Sequence, residues 1–343
     1  MKTHIFTFLF LLMATVSSAQ RVTVYKQLNS DGITVSASSE FNKGSLKSIV
    51  NGEGMVGRYH DAHNLGKGMW LSKVSKKHIR YNEFTHEGVV WLLCDLGNAP
   101  KIDLIQIWNY NQSEHTRRGL KKVYIEYSAN GKDWHLLRND KLDYHIIPES
   151  VGRNPEAVDF SLEVPGLQAR YICITAAADG EGNYYDRTNP VVLQEANDML
   201  QNIDFYGLSE IRFFHKESLP VETLGKLTDL SFVASQGYLK SQEGPKREYY
   251  LRFNTPLYSG ANITIESGDK KWSEKIPASA VGIEEYVGCF PAGYMEETSS
   301  AKITINSRQG SISGKYEVPG ARKWTVCFFP HSHLDIGYTH RQN

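Results

Sequence analysis

Long apolar runs are scarce in this 343-residue chain. Beyond the run Ile5 to Val16, no segment approaches the roughly 20 apolar residues that a bilayer-spanning helix needs, which excludes a helical membrane protein. An excess of one charge is equally missing: 38 Lys and Arg face 38 Asp and Glu, and no block of like charges stands out. A nucleic-acid binder needs a basic surface to neutralise phosphates, so that class is excluded as well. Cysteine is sparse, with Cys94, Cys173, Cys289 and Cys327 scattered and no CxxC spacing. A thiolate metal site therefore has no framework. Cys94, Cys173 and Cys327 lie in apolar, strand-like runs and read as buried thiols acting as small hydrophobes. One disulfide is the alternative that export would permit. Helical periodicity is nearly absent too, apart from Pro190 to Gln201, and there is no internal repeat and no low-complexity tract. Hydrophobic residues at 41% supply real cores and exclude wholesale disorder.

What is present begins with export. Lys2 and His4, the apolar run to Val16, and Ser17, Ser18 and Ala19 form a secretory signal, with cleavage expected after Ala19 or Gln20. The mature chain is expected in the periplasm, at the cell surface or outside the cell. Short β-branched and aromatic segments follow: Trp91 to Leu96, Ile102 to Trp108, Lys122 to Tyr127, Arg170 to Thr175 and Leu208 to Phe214. Gly, Asn, Asp or Pro bound each, so they read as strands joined by turns, in an all-β sandwich or jelly roll. Around His215 to Thr228 the chain turns polar, and strands resume at Tyr249 to Phe253, Ala261 to Glu266, Ala301 to Ile305 and Ser311 to Tyr316. That pattern predicts a second β-sandwich. Trp272, Tyr249 and Tyr250 are expected in its core.

The last segment changes character. Trp324 to Phe329 is continuously apolar, as in a strand buried on both faces of an α/β domain, and only 14 residues follow it. The segment therefore reads as the cut-off start of a further domain. His331, His333 and Asp335 stand at i, i+2 and i+4 directly after this strand, on one face if the backbone stays extended. Imidazole and carboxylate are good zinc ligands, but one loop supplies only part of a zinc centre. The whole segment Phe329-Pro330-His331-Ser332-His333-Leu334-Asp335-Ile336-Gly337-Tyr338-Thr339-His340 resembles the opening motif of the glycoside hydrolase family 38 α-mannosidases. The resemblance implies that His333 and Asp335 bind zinc in a retaining glycosidase. The family's remaining ligands and its carboxylate nucleophile have no counterpart in this sequence, so the chain is expected to be inactive by itself.

A second resemblance covers Leu28 to Phe214. Thr34 to Ser39, Ile49-Val50-Asn51-Gly52, Trp91 to Gly97, Ile107 to Asn111, Glu126 to Trp134, Ala169 to Ile172 and Gly207 to Ile211 resemble, in order and spacing, the discoidin or coagulation-factor type C module, close to carbohydrate-binding module family 32. Asp95 is placed to tie the turn after its strand, and Ser128 to Gly131 to form a tight turn. Trp91, Trp108 and Trp134 read as core or rim packing, with ligand contact the alternative. The resemblance implies calcium at Asn51 and Glu210 in some members, where Asn would bind more weakly than Asp. It also implies sugar recognition by loops at one end of the sandwich. Trp70, Tyr110, Asn111, Arg118 and Tyr185 are the leading ligand candidates; Tyr59, His60, His63, Arg117 and Tyr184 are also in reach.

The expected organisation is a signal peptide (1–19), a discoidin-type module (20–215), a second β-sandwich (216–322), and a remnant of an α/β catalytic domain (323–343). The expected function is that of the glycan-binding region of an exported zinc-dependent α-mannosidase, acting on mannose-containing glycans. The alternative is a non-enzymatic adhesion protein that holds cell-surface glycan or lipid.

Overall fold

The computed structural model describes residues 20–320, apart from 44, 57–58, 61–67, 153–157, 191, 193–201, 240–241, 243 and 291–298. The signal segment, Cys327, His63, His333, Asp335 and nearly all of 190–201 lie outside the described residues. The described chain is almost wholly β and divides into two compact units. Among the described residues, no helix is long and apolar enough to cross a membrane.

The first unit spans residues to Lys226 and includes 256–259 and 278–284. Its strands begin with β1 (Arg21–Gln27), β2 (Thr34–Ala37), β3 (Met55–Val56), β4 (Tyr59–His60), β5 (Trp70–Leu71), β6 (Gly88–Asp95) and β7 (Lys101–Asn109). They continue with β8 (Lys122–Ser128), β9 (His135–Leu137), β10 (His145–Ile146), β11 (Phe160–Gln168), β12 (Tyr171–Ala177) and β13 (Gly207–Pro220). A single short helix, α1 (Ser48–Asn51), follows β2. One sheet runs β1-β13-β7-β11 with β5 on β13; the other runs β10-β8-β12-β6-β2 with β9 on β8. Side chains alternate across each strand. Val90, Leu92 and Cys94 of β6 and Ile172, Ile174 and Ala176 of β12 therefore point inward, meeting Ile105 and Ile107 of β7 and Ile211 and Phe213 of β13. Each of the five segments read as strands in this module coincides with a strand, with only Leu96 and Arg170 lying one residue outside β6 and β12.

Register decides the question for Cys94 and Cys173. Cys94 pairs with Ile172 and Cys173 with Leu93, so the two thiols project from opposite faces of one sheet and stay unbridged. Burial pushes the Cys173 thiol up to about 12, and Cys94 also rises. Both behave as hydrophobes.

Two features were not legible in the pattern. The polar residues His215 to Pro220, read as the start of a boundary, continue β13 and pair with β1 from Lys26 to Arg21. Phe160–Gln168 is a strand despite Pro165 and Gly166, because a register shift between Glu163 and Leu167 accommodates them. The expected turns form. The Gly97 N–H donates to Asp95 Oδ1 at 2.9 Å, and Gly131 takes φ 77° while its N–H donates to Ser128 Oγ at 2.9 Å.

The second unit comprises 227–255, 260–277 and the residues from 285 onward. Its strands are β14 (Leu230–Leu239), β15 (Lys246–Leu257), β16 (Ala261–Ser267), β17 (Lys270–Ile276), β18 (Ile283–Cys289), β19 (Ser299–Ser307) and β20 (Gly310–Val318). They form the sheets β14-β15-β18 and β17-β16-β19-β20. Ala301, Ile303 and Ile305 of β19 are buried on one face. Phe232 of the first sheet lies 5.8 Å from Tyr316 of the second, ring centre to ring centre. This is a second sandwich. Tyr249 is fully buried in it and Trp272 packs edge-on to Phe290, whereas Tyr250 is half-buried.

Candidate functional site

In the first unit, β7 ends at Asn109, β8 begins at Lys122, β12 ends at Ala177 and β13 begins at Gly207. The connections 110–121 and 178–206 therefore emerge at one end of the sandwich, together with the segment before β6. The start of β1 and the short turns at 28–33, 96–100 and 129–134 occupy the other end.

Buried amides hold these loops. The side chain of Asn109 is fully buried: its Nδ2 donates to the carbonyls of Leu120 and Pro148, both at 2.8 Å, while its Oδ1 accepts from the Tyr110 and Leu120 N–H groups, both at 2.9 Å. All of its hydrogen-bonding capacity is thus spent on backbone. Asn183 acts likewise, donating to Ile203 O at 2.7 Å and Phe205 O at 3.0 Å. Two glycines make the close approaches: a Cβ on Gly119 would meet Asn109 Oδ1 at 2.7 Å, and one on Gly207 would meet Tyr110 Cδ2 at 2.4 Å.

Most of the expected ligand residues turn out to belong to this framework. Trp70 is fully buried and its Nε1 donates to Ser39 O at 3.0 Å, so its ring cannot stack on a sugar. Tyr110 is buried with its hydroxyl donating to Gln112 Oε1 at 2.6 Å. Asn111 is buried and its Oδ1 accepts the Gly152 N–H at 2.6 Å. Arg118 is also buried, its guanidinium 5.0 Å above the Phe205 ring. These four residues, expected at loop tips, instead hold the loops from within. Tyr184 donates its hydroxyl to Ile147 O, and burial raises that hydroxyl to about 12. Tyr185 stays half-exposed and Arg117 exposed. The side chains of Tyr59 and His60 fall outside the description.

The loop end carries a notch of about 180 Å³ that pattern reading did not find. Arg187, Asp204 and Tyr206 form its floor, with Lys76 and His78 on its rim. Arg187 Nη1 donates to Asp204 Oδ1 at 2.7 Å, its Nη2 to Tyr206 Oη at 3.1 Å, and its Nε to Gly180 O at 3.2 Å. Asp204 is 6% exposed, and Lys76 Nζ stands 3.4 Å from its other oxygen. A fixed carboxylate acceptor with two cationic donors suits a ligand rich in hydroxyls. The volume is small beside the roughly 300–1,000 Å³ of sites that enclose a drug-sized molecule, so it accepts a single ring or part of one. Phe41, 46% exposed, stands edge-on to Phe205 at 5.4 Å and offers an apolar face on the same end. Lys76, Arg187 and Asp204 come from three separated segments, and only the nearby Tyr185 marked any of them in advance.

Residues 34–189 match the family model described as F5/8 type C domain. This stretch is similar to the F5/8 type C domain family. Comparison with curated proteins found no match. Similar solved structures include a CBM32 module of a family 31 glycoside hydrolase from Clostridium perfringens, with 14% identity over 55% of this chain and 94% of that one, TM-score 0.32. Another is the F5/8 type C domain of a Bacteroides fragilis protein, with 11% identity over 56% and 97%, TM-score 0.33. A third is the lectin domain of lectinolysin complexed with Lewis B antigen, with 13% identity over 54% and 93%, TM-score 0.32.

The positions expected to hold calcium in the first unit do come together, since the Gly52 N–H donates to Glu210 Oε2 at 3.3 Å. Their oxygens, however, are already engaged. Glu210 Oε1 accepts from Arg212 Nε at 2.8 Å, and Asn51 Oδ1 accepts from the Glu53 N–H at 2.9 Å. Burial pushes the Glu210 carboxyl up to about 7 although Arg212 pulls the other way. Among the described residues, no three His, Cys, Asp or Glu side chains cluster as a metal site would require.

Proposed function

We propose that the first unit binds glycan at the notch formed by Arg187, Asp204, Tyr206 and Lys76. The observation that carries this reading is the pair formed by the partly exposed Arg187 and the buried Asp204, with Lys76 beside it. A sugar hydroxyl is donor and acceptor at once; Asp204 accepts its proton while Lys76 or Arg187 donates to its oxygen. Such charge-assisted bonds contribute about 1.5–3 kcal/mol each where water is displaced.

In the fuller form of the proposal, this binding serves an exported zinc-dependent α-mannosidase and the glycans contain mannose. The support is the sequence Phe329 to His340, in which His333 and Asp335 would be zinc ligands, and the signal-like residues 1–19. Tethering then raises the effective concentration of enzyme near its substrate without any new chemistry.

The test is a glycan array followed by calorimetry on the intact chain and on Lys76→Ala. Lys76 is mostly exposed, so its loss leaves the fold intact. Affinity for the retained glycan falls about tenfold, equivalent to about 1.4 kcal/mol. Equal affinity would place binding elsewhere, and enrichment of glycans without mannose would remove the mannosidase link. The second reading, adhesion through lipid, draws on Phe41, Val74 and Val151, which are apolar and exposed on loops of this unit. Retention on liposomes without glycan retention favours it.

A further inference from the structure

We propose that the guanidinium of Arg212 takes the structural place of a calcium ion in the first unit, so that the α1 loop is anchored to its sheet without metal. Three observations converge on this. Glu210 and Arg212 lie two residues apart on β13, both buried, on the face opposite Ile211 and Phe213. Arg212 Nε meets Glu210 Oε1 at 2.8 Å, and its guanidinium centre lies 4.9 Å from the Trp108 ring, which fixes it between the two. A Cβ on Gly52 would lie 3.7 Å from Arg212 Nη2, so the cation stands beside the loop that the carboxylate grips through the Gly52 N–H.

Calcium requires six to eight oxygens at about 2.3–2.6 Å. Here the oxygens around this point are turned to other donors: Asn51 Oδ1 to the Glu53 N–H, and Glu53 Oε2 to Ser48 Oγ at 3.0 Å. A positive charge at hydrogen-bond distance also repels a divalent ion. The arrangement does with one side chain what an ion would do with several ligands: it offsets a buried carboxylate and ties the chain around Gly52 to β13.

The proposal is tested by thermal unfolding of the full chain in EDTA and in millimolar calcium chloride, with Arg212→Gln and the double variant Glu210→Gln/Arg212→Gln alongside. Wild-type midpoints coincide in the two buffers. Arg212→Gln, which leaves the carboxylate buried and unpaired, melts lower by roughly 10 °C. The double variant, with neither charge, recovers part of that loss. A wild-type midpoint that rises saturably with calcium overturns the proposal, as does an Arg212→Gln midpoint equal to wild type. Should Arg212→Gln fail to fold, calcium titration of the wild-type chain by calorimetry still decides: heat at one ion per chain overturns it, and its absence supports it.

Discussion

Single buried polar side chains decide much of this molecule, and His145 illustrates how. It is 1% exposed, its Nε2–H donates to Leu137 O at 2.8 Å, and its ring packs edge-on to Phe160. Burial lowers its pKa below the usual 6.5, outweighing the bond to Leu137. Below the unfolded-state value the unfolded chain binds more protons than the folded one, so stability is full above about pH 6.5 and is lost as pH falls. Urea unfolding at about pH 7.5 and about pH 5 should show this loss in wild type and a smaller one in His145→Gln. Equal losses would show that His145 does not couple to folding. Asp95 was legible at this scale because its turn is local, and the Gly97 N–H bond could be anticipated. Its bidentate partner Arg170, at 2.9 and 3.0 Å, could not, because 75 residues separate them.

Elements were readable where both neighbours and periodicity agreed. β6, β7, β8 and β12 are dense in β-branched and aromatic residues, and their centres were evident. β11 and the second half of β13 were not. Their local composition argues for loops, and pairing with β7 and β1 overrides it. The start of β13 is the most constrained point: Gly207 pairs with Leu71 and lies against the Tyr110 ring. Gly207→Ala would place a methyl group 2.4 Å from Tyr110 Cδ2 and 3.0 Å from Trp70 O. Overpacking of this kind costs about 1–3 kcal/mol, readable as a lower urea midpoint with unchanged slope. A change below about 0.5 kcal/mol would show that the Tyr110 ring moves aside freely.

At the scale of the whole molecule, the first unit is not one continuous stretch. Ala280 and Val281 pack against Tyr25, Leu104 and Phe214, and the Tyr25 N–H donates to Ala280 O at 2.7 Å. A polypeptide of residues 20–226 would uncover those three side chains. It is expected to melt lower than residues 20–290, by roughly 2–4 °C for each kcal/mol lost in a unit of this size. Coincident midpoints would mean that the segment adds nothing to stability. Composition and periodicity by themselves determined the all-β class, the two sandwiches and the buried thiols Cys94 and Cys173, because each depends on short-range pattern, while the F5/8 type C resemblance rested on ordered local pieces. Tertiary structure alone decided that Trp70, Tyr110, Asn111 and Arg118 hold loops, that Lys76, Arg187 and Asp204 share a notch, and that Arg212 stands over Glu210. Those facts depend on which distant segments the sheets bring to one place, and residue type carries no record of its future neighbours.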